Sequence, residues 1–199
     1  MGVVVDGKRA AVFLDRDGTI IELKNYLRSF DEIKLIPHAA EGLKILQDTE
    51  YLLVVITNQS GVARGYFTED FVKETNDRIS ELFAEQGVFI DAFYYCPHHP
   101  DYGVGAYRQD CECRKPKMGM IKKAVSDFCI DLSESWIIGD NDPDIRMAIN
   151  AHIKSALVKT GYGEEVLLNY PKDLKAPDII ANDIYHAAKL IASRNGENR

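Results

Sequence analysis

In FLDRDGTI (residues 13–20), two carboxylates, Asp15 and Asp17, stand two residues apart just past a short apolar run, and Gly18 and Thr19 follow as a tight turn requires. One carboxylate so placed can attack an electrophilic centre while the other supplies a proton to the departing atom. IIGDNDPDI (137–145) sets Asp140 and Asp144 after another apolar run, as hard oxygen ligands of the kind that suit Mg2+. Pro143 also marks a helix start here, so Asp144 reads either as an acidic cap or as the partner that orients Lys115. In VVITNQSGVARGYF (54–67), the hydroxyl of Thr57 and the backbone N–H groups around Asn58 can hold an anionic oxygen. Lys115, in CRKPKMGM (113–120), adds an ammonium able to neutralise a transferring anionic group.

Three of the four cysteines crowd into one Gly/Pro-broken stretch, Cys96 to Pro116. Cys96 and His98 form C-x-H, Cys111 and Cys113 form C-x-C, and the 12 residues between His98 and Cys111 carry Pro100, Gly103 and Gly105, so the loop can fold back on itself. Three thiolates and one imidazole make the closed tetrahedral set of structural Zn2+, with no position open for water. His99 is the spare imidazole that could replace His98. A zinc here would fix Arg114 and Lys115, which follow directly. Cys129 lies on an apolar stretch and is expected to be a small buried hydrophobe.

The elements that must position these groups alternate. Apolar runs at 9–15, 51–57, 90–95, 135–139 and 153–159, with a weaker one at 178–181, read as strands. Helical patterns separate them: one opened by Pro37, one capped by Thr68 with Phe71, Thr75, Ile79, Leu82 and Phe83 on one face and Gly87 at its end, one after Pro116, one from Pro143, and a last one over NDIYHAAKLIAS. The tail from Ser193 is expected to fray. Such alternation predicts α/β architecture: a doubly wound parallel sheet, Rossmann-like, in one domain spanning 1–199 with the zinc loop (96–113) inside it. Chemistry in such sheets collects at the carboxyl ends of the strands, where Asp15, Thr57 and Asp140 fall.

D-x-D-G-T resembles the first motif of the haloacid dehalogenase superfamily of phosphotransferases, and the Thr57, Lys115 and Asp140 motifs follow in that superfamily's order. The combination D-R-D-G-T, T-N-Q-S-G-V-A-R-G-Y-F, Y-Y-C-P-H-H-P with C-x-C-R-K-P, and I-G-D goes further. It resembles the D,D-heptose 1,7-bisphosphate phosphatase family over residues 9–165, with histidinol-phosphate phosphatase domains as close relatives. The resemblance implies a haloacid dehalogenase fold with a minimal cap. It also implies a Mg2+-dependent phosphomonoesterase that removes the 7-phosphate of D-glycero-D-manno-heptose 1,7-bisphosphate through an aspartyl-phosphate. On that reading Asp15 is the nucleophile and Asp17 the general acid/base. Asp15, the backbone carbonyl of Asp17, and Asp140 hold Mg2+. Thr57 and Lys115 hold the phosphoryl group, Arg114 serves substrate recognition, and Asn58, Gln59 and Ser60 lie in the substrate-contacting loop. The sequence departs from the family's flap at Leu23-Lys24-Asn25-Tyr26, where only Tyr26 agrees, and at Asn141, where lysine is common. Lys24, Asn25, Tyr26 and Asn141 therefore join the substrate residues whose details differ. Lys24 and Arg114 supply positive charge for a second, distal phosphate.

The net charge of −7 and pI near 5.3 argue against a general nucleic-acid or membrane-surface binder, and no apolar run nears the ~20 residues that span a bilayer. The N-terminus carries no signal-peptide pattern. A cytoplasmic monomer acting on a small phosphorylated sugar is expected. Histidinol phosphate is the rival substrate. A non-catalytic zinc-loop module is the rival class, and Asp15, Asp17, Lys115 and Asp140 together weigh against it.

Overall fold

The computed structural model describes residues 4–5 and 7–197. Its strands are β1 (Val4–Val5), β2 (Lys8–Leu14), β3 (Leu52–Asn58), β4 (Ala92–Cys96), β5 (Ile130–Gly139), β6 (Lys154–Val158) and β7 (Ile179–Ala181). Its α-helices are α1 (Ala39–Asp48), α2 (Glu69–Ala84), α3 (Gly119–Phe128), α4 (Asp142–Ala151), α5 (Gly163–Leu168) and α6 (Ile184–Glu197). Strands β2 to β7 form a parallel sheet in the order β4-β3-β2-β5-β6-β7, and β1 pairs antiparallel with β2. The chain winds outward from β2 to β4, crosses back to β5 beside β2, and winds outward again. The doubly wound sheet expected from sequence is what forms, and its switch point lies between β2 and β5.

Side chains alternate across the sheet. Val12 and Leu14 of β2 pack with Leu53 and Val55 of β3 against Leu43 and Leu46 of α1, Ile79 and Phe83 of α2, and Ile184 and Ile191 of α6. Ala11 and Phe13 turn the other way, with Val54, Ile56 and Ile137, onto Met120 and Ile121 of α3 and Met147 of α4. Burial on both faces is why these strands read as continuous apolar runs. Thr68 caps α2, accepting from the backbone N of Phe71 at 3.1 Å. Among the described residues no helix is long and apolar enough to cross a membrane.

The structure departs from the sequence reading in four places. β5 begins at Ile130, not 135, because its first half carries polar residues around a register shift: Ala10 faces Asp131 but Val12 faces Trp136. Ser135 repairs the broken ladder, its Oγ accepting from Ala11 N at 3.0 Å. The short elements β1 and α5 carry too few periodic residues to stand out. Cys129 is exposed rather than buried: it caps α3 with φ 50°, and this left-handed turn aims it off the apolar face. The tail from Ser193 stays helical to Glu197, while residues 198–199 lie outside the described residues.

Gly42 on α1 lets two helices touch. A Cβ there would meet the backbone of α6 at Tyr185 Cα, 2.8 Å away. Backbone cannot step aside as a side chain does. Gly42→Val is expected to destabilise the fold by about 3 kcal/mol and to lower Tm by roughly 6–12 °C, measured by thermal unfolding.

Candidate active site

The carboxyl ends of β2 and β5 set the site. Asp15 leaves β2 with its N–H donating to Ile138 O at 2.9 Å, and Asp140 leaves β5 alongside. Ligand oxygens of Asp15, Asp140 and Asp144 lie within 4.8 Å of one another. Lys115 reaches in from the loop before α3, its side chain 3% exposed, with Nζ 2.6 Å from Asp15 Oδ1 and 2.7 Å from Asp144 Oδ1. A third contact runs from Nζ to Ile56 O at 3.1 Å. Burial works against the ammonium, but Asp144 and Asp15 outweigh it and hold Lys115 above the ordinary lysine range. Asp140 is pushed up to about 9, first by burial and then by Asp15 and Asp144. Asp140 therefore keeps its proton unless a cation is near; with all three carboxylates ionised against one ammonium, two negative charges would be left for a divalent cation to balance.

Glycine backbones seat Asp140. A Cβ on Gly18 (φ +90°) or on Gly161 (φ +57°) would overlap its Oδ2. Tyr162 N donates to the same oxygen at 2.8 Å, and Thr160 Oγ1 ties the β6–α5 loop to Gly18 O at 2.6 Å. In the sequence, Thr160-Gly161-Tyr162 carries no signal beyond a glycine that follows a strand. At α4, Asn141 is the N-cap and Asp144 completes a capping box from N3. Asp144 thus does both jobs left open above.

An open cleft of about 350 Å³ gathers Asp15, Asp17, Thr57, Asn58, Gln59, Ser60, Arg114, Lys115, Asp140 and Asn141 with the flap residues Lys24, Asn25 and Tyr26. Several of these groups are already engaged by protein. Asn58 makes reciprocal bonds with the Lys115 backbone, accepting from its N at 3.0 Å and donating to its O at 3.3 Å. Gln59 Nε2 donates to Asp17 Oδ2 and Thr57 Oγ1, each at 2.9 Å. Arg114 donates to His98 O at 3.1 Å, and exposed Lys24 lies 4.0 Å from Glu22. Two further charged groups that no local sequence pattern marks also meet the site, Arg16 against Asp17 and Glu69 against the Cys/His loop.

Cys96, His98, Cys111 and Cys113 converge with ligand-atom separations of 2.9–3.8 Å in five of their pairs. These exceed the ~2.05 Å of a disulfide and suit the edges of a tetrahedral metal site. His98 offers Nδ1, whereas His99 Nδ1 accepts from Asp101 N and Tyr102 N at 3.1 and 3.3 Å. Hydrogen bonding between Cys96 and Cys113 pushes the Cys96 thiol up and Cys113 down. Glu69, in the first turn of α2, accepts from Tyr95 and Tyr107 hydroxyls at 2.7 and 2.8 Å and so ties the middle of the loop to the strand that leads into it.

A parallel sheet with acidic residues and a buried lysine at its switch point defines the class, a haloacid dehalogenase-like hydrolase; the HAD-hydrolase-like family model matches residues 112–187. The D-glycero-beta-D-manno-heptose-1,7-bisphosphate 7-phosphatase of Haemophilus ducreyi is 45% identical over 157 residues, covering 78% of this chain and 85% of that one. The D-glycero-D-manno-heptose-1,7-bisphosphate 7-phosphatase of Chlorobaculum tepidum is 39% identical over 182 residues, 88% of this chain and 90% of that one. The crystal structure of D,D-heptose 1,7-bisphosphate phosphatase from B. bronchiseptica, complexed with magnesium and phosphate, superposes with TM-score 0.82 at 28% identity, covering 93% of this chain and 99% of that one. The chain belongs to the D-glycero-D-manno-heptose-1,7-bisphosphate 7-phosphatase family.

The Tyr95 hydroxyl, above all, holds Glu69 below the ordinary glutamate value of 4.5, and Tyr107 adds to this. A carboxyl depressed in the folded state stabilises above its unfolded pKa, and that stability is lost as pH falls through the folded value. Glu69→Gln is therefore expected to cost about 1 kcal/mol at pH 7, partly screened by solvent. The difference from wild type should shrink as the pH falls below the ordinary glutamate value, followed by urea unfolding across pH.

Proposed function

We propose that this chain is a Mg2+-dependent phosphomonoesterase that removes the 7-phosphate of D-glycero-D-manno-heptose 1,7-bisphosphate and leaves the 1-phosphate in place. The observation that carries the reading is the buried Lys115 bridging Asp15 and Asp144, with Asp140 beside them, at the sheet's switch point. Asp15, the backbone carbonyl of Asp17, and Asp140 would hold Mg2+, since both oxygens of Asp144 are engaged, Oδ1 by Lys115 and Oδ2 by the backbone N of Asn141, whereas Asp15 gives the lysine only Oδ1. The unmatched negative charge and the glycine seat of Asp140 fit such an ion. When bound, Mg2+ neutralises the phosphoryl oxygens against the crowded carboxylates.

The residues then divide the work. A carboxylate oxygen of Asp15 attacks phosphorus, the ester P–O bond breaks, and its electron pair stays on the sugar oxygen, which takes a proton from Asp17. Water next attacks phosphorus and gives its proton to Asp17. The Asp15–phosphorus bond breaks, restoring the carboxylate and releasing inorganic phosphate. Lys115 and Thr57 steady the phosphoryl oxygens. Arg114, held over the cleft, and Lys24 bind the distal phosphate, while Ser60, Asn25, Tyr26 and Asn141 line the sugar; Asn58 and Gln59 fix the loop beneath. Cys96, His98, Cys111 and Cys113 would hold a structural Zn2+ with no open position. The whole chain works as one phosphatase domain, in the same reading a cytoplasmic monomer.

Phosphate release from both anomers of the heptose bisphosphate, from its monophosphates and from histidinol phosphate tests the substrate. The bisphosphates should be turned over fastest; preference for histidinol phosphate would sink the assignment. Asp15→Asn should abolish turnover without changing the thermal unfolding curve by more than a few degrees.

The second expectation concerns the metal loop. Cys111→Ser should lose stoichiometric zinc by elemental analysis, lower Tm, and reduce turnover because Arg114 and Lys115 lose their anchor. Wild-type protein purified without chelator and containing no zinc would refute the assignment.

A further inference from the structure

Between the two motif-one carboxylates sits a charged side chain with no surface role. Arg16 is 2% exposed, and all three guanidinium nitrogens are engaged. Nε donates to Asp17 Oδ2 at 3.0 Å and Nη2 to Asp17 Oδ1 at 3.3 Å. Nη1 donates to Asn76 Oδ1 at 3.0 Å. Asn76 lies on α2, 5% exposed, on the face that also buries Val72, Ile79 and Phe83. Nothing in an amphipathic helix calls for an amide there. The neighbouring Thr75 settles its own hydroxyl on Phe71 O at 2.7 Å, whereas Asn76 turns to the arginine.

We infer that Arg16, held by Asn76, is a positioning residue that fixes the orientation of the Asp17 carboxylate for proton exchange with the leaving group. This rests on the reading of Asp17 as general acid/base given above. A carboxylate on a turn can rotate about two side-chain bonds, and proton transfer tolerates little misalignment. The planar guanidinium spans both oxygens of Asp17, and its third nitrogen is fixed from α2, so the helix sets the plane of the carboxylate. Gln59 reinforces the choice by donating to Oδ2 at 2.9 Å. Oδ2 then carries two short bonds and Oδ1 only the long one, which leaves Oδ1 as the oxygen that exchanges the proton. Asn76 does not line the cleft, so it reaches the chemistry only through Arg16.

The test separates leaving groups. Single-turnover release is measured for the heptose bisphosphate, whose sugar oxygen needs a proton, and for 4-nitrophenyl phosphate, whose phenolate departs without one. Asn76→Leu and Arg16→Met should slow release of the sugar about 100-fold, and nitrophenolate release about tenfold less than that. Asn76→Asp, which still accepts from Arg16, should stay within about threefold of wild type, and Arg16→Lys should not rescue because a point donor cannot span both oxygens. Asp17→Asn is run beside them. If it slows both esters equally, the acid/base reading of Asp17 fails. If it discriminates between the esters while Asn76→Leu slows both equally or neither, Arg16 and Asn76 are structural and the inference is overturned. Should Arg16→Met fail to fold, the Asn76→Leu and Asn76→Asp pair decides alone.

Discussion

Lys115 is the point on which the rest of the structure turns. An ammonium 3% exposed is costly unless its partners are in place, and its partners come from three separate elements: Asp15 after β2, Ile56 O in β3, and Asp144 in α4. Each partner alone satisfies only part of the ammonium, and the three together hold it in place. The lysine and the cap of α4 together distinguish the carboxylates. Asp144 spends Oδ1 on the lysine and Oδ2 on the backbone N of Asn141, Asp15 spends only Oδ1 on the lysine, and Asp140 makes no ion pair with it. One ion pair network therefore holds the sheet's switch point together and sorts three similar carboxylates into different tasks.

A lysine this buried must arrive on a loop that is itself fixed, and the segment from Pro97 to Met118 has little core to fix it. Most of it is exposed or half-exposed, so hydrophobic burial contributes little against the entropy of ordering it. Polar anchors do the work instead. The Cys/His cluster closes the loop at its base, Glu69 grips Tyr95 and Tyr107, and Asn58 holds the Lys115 backbone from β3. The cluster's place beside the cleft follows from this: it stiffens Lys115, which arrives on a long loop, whereas Asp15 and Asp140 follow directly on the ends of strands.

The sheet was legible in the sequence because strands buried on both faces are nearly unbroken apolar runs. It was legible less well where polarity interrupts the run, as at Asp131 to Ser135, or where an element has only two to six residues. The chemistry-bearing residues were legible by type and by position after strands. What could not be read was which of them face one another. Arg16 and Asn76 are 60 residues apart, Asn58 and Lys115 57, and no local pattern links either pair. Asn58 and Gln59 thus look like substrate contacts in the sequence, whereas their amides meet protein groups. Cys129 misled for the opposite reason: its neighbours are apolar, but a left-handed cap, invisible in composition, turns it outward.

The flap over the cleft is held by side-chain packing rather than by secondary structure. It has no sheet or long helix of its own, only isolated bridges and a short 3-10 turn at Phe30–Glu32. Its aromatic residues tie it to the loop and helix across the cleft. Tyr26 packs edge-on against Tyr66 with centroids 4.6 Å apart, Phe30 stacks on Phe71 at 5.1 Å, and Phe67 lies between, 6.4 Å from Tyr26 and 5.6 Å from Phe71. Such contacts, each worth about 0.5–1.5 kcal/mol beyond area burial, are enough to set a loop without closing it. Gly61 is part of the same packing, since a Cβ there would run into the Phe67 ring. The cleft stays open to a sugar bearing a second phosphate, while Tyr26 and Phe67 remain fixed along its wall. Substitutions in the flap at Leu23, Lys24 and Asn25 can therefore change what the cleft accepts without disturbing the carboxylates and lysine beneath it.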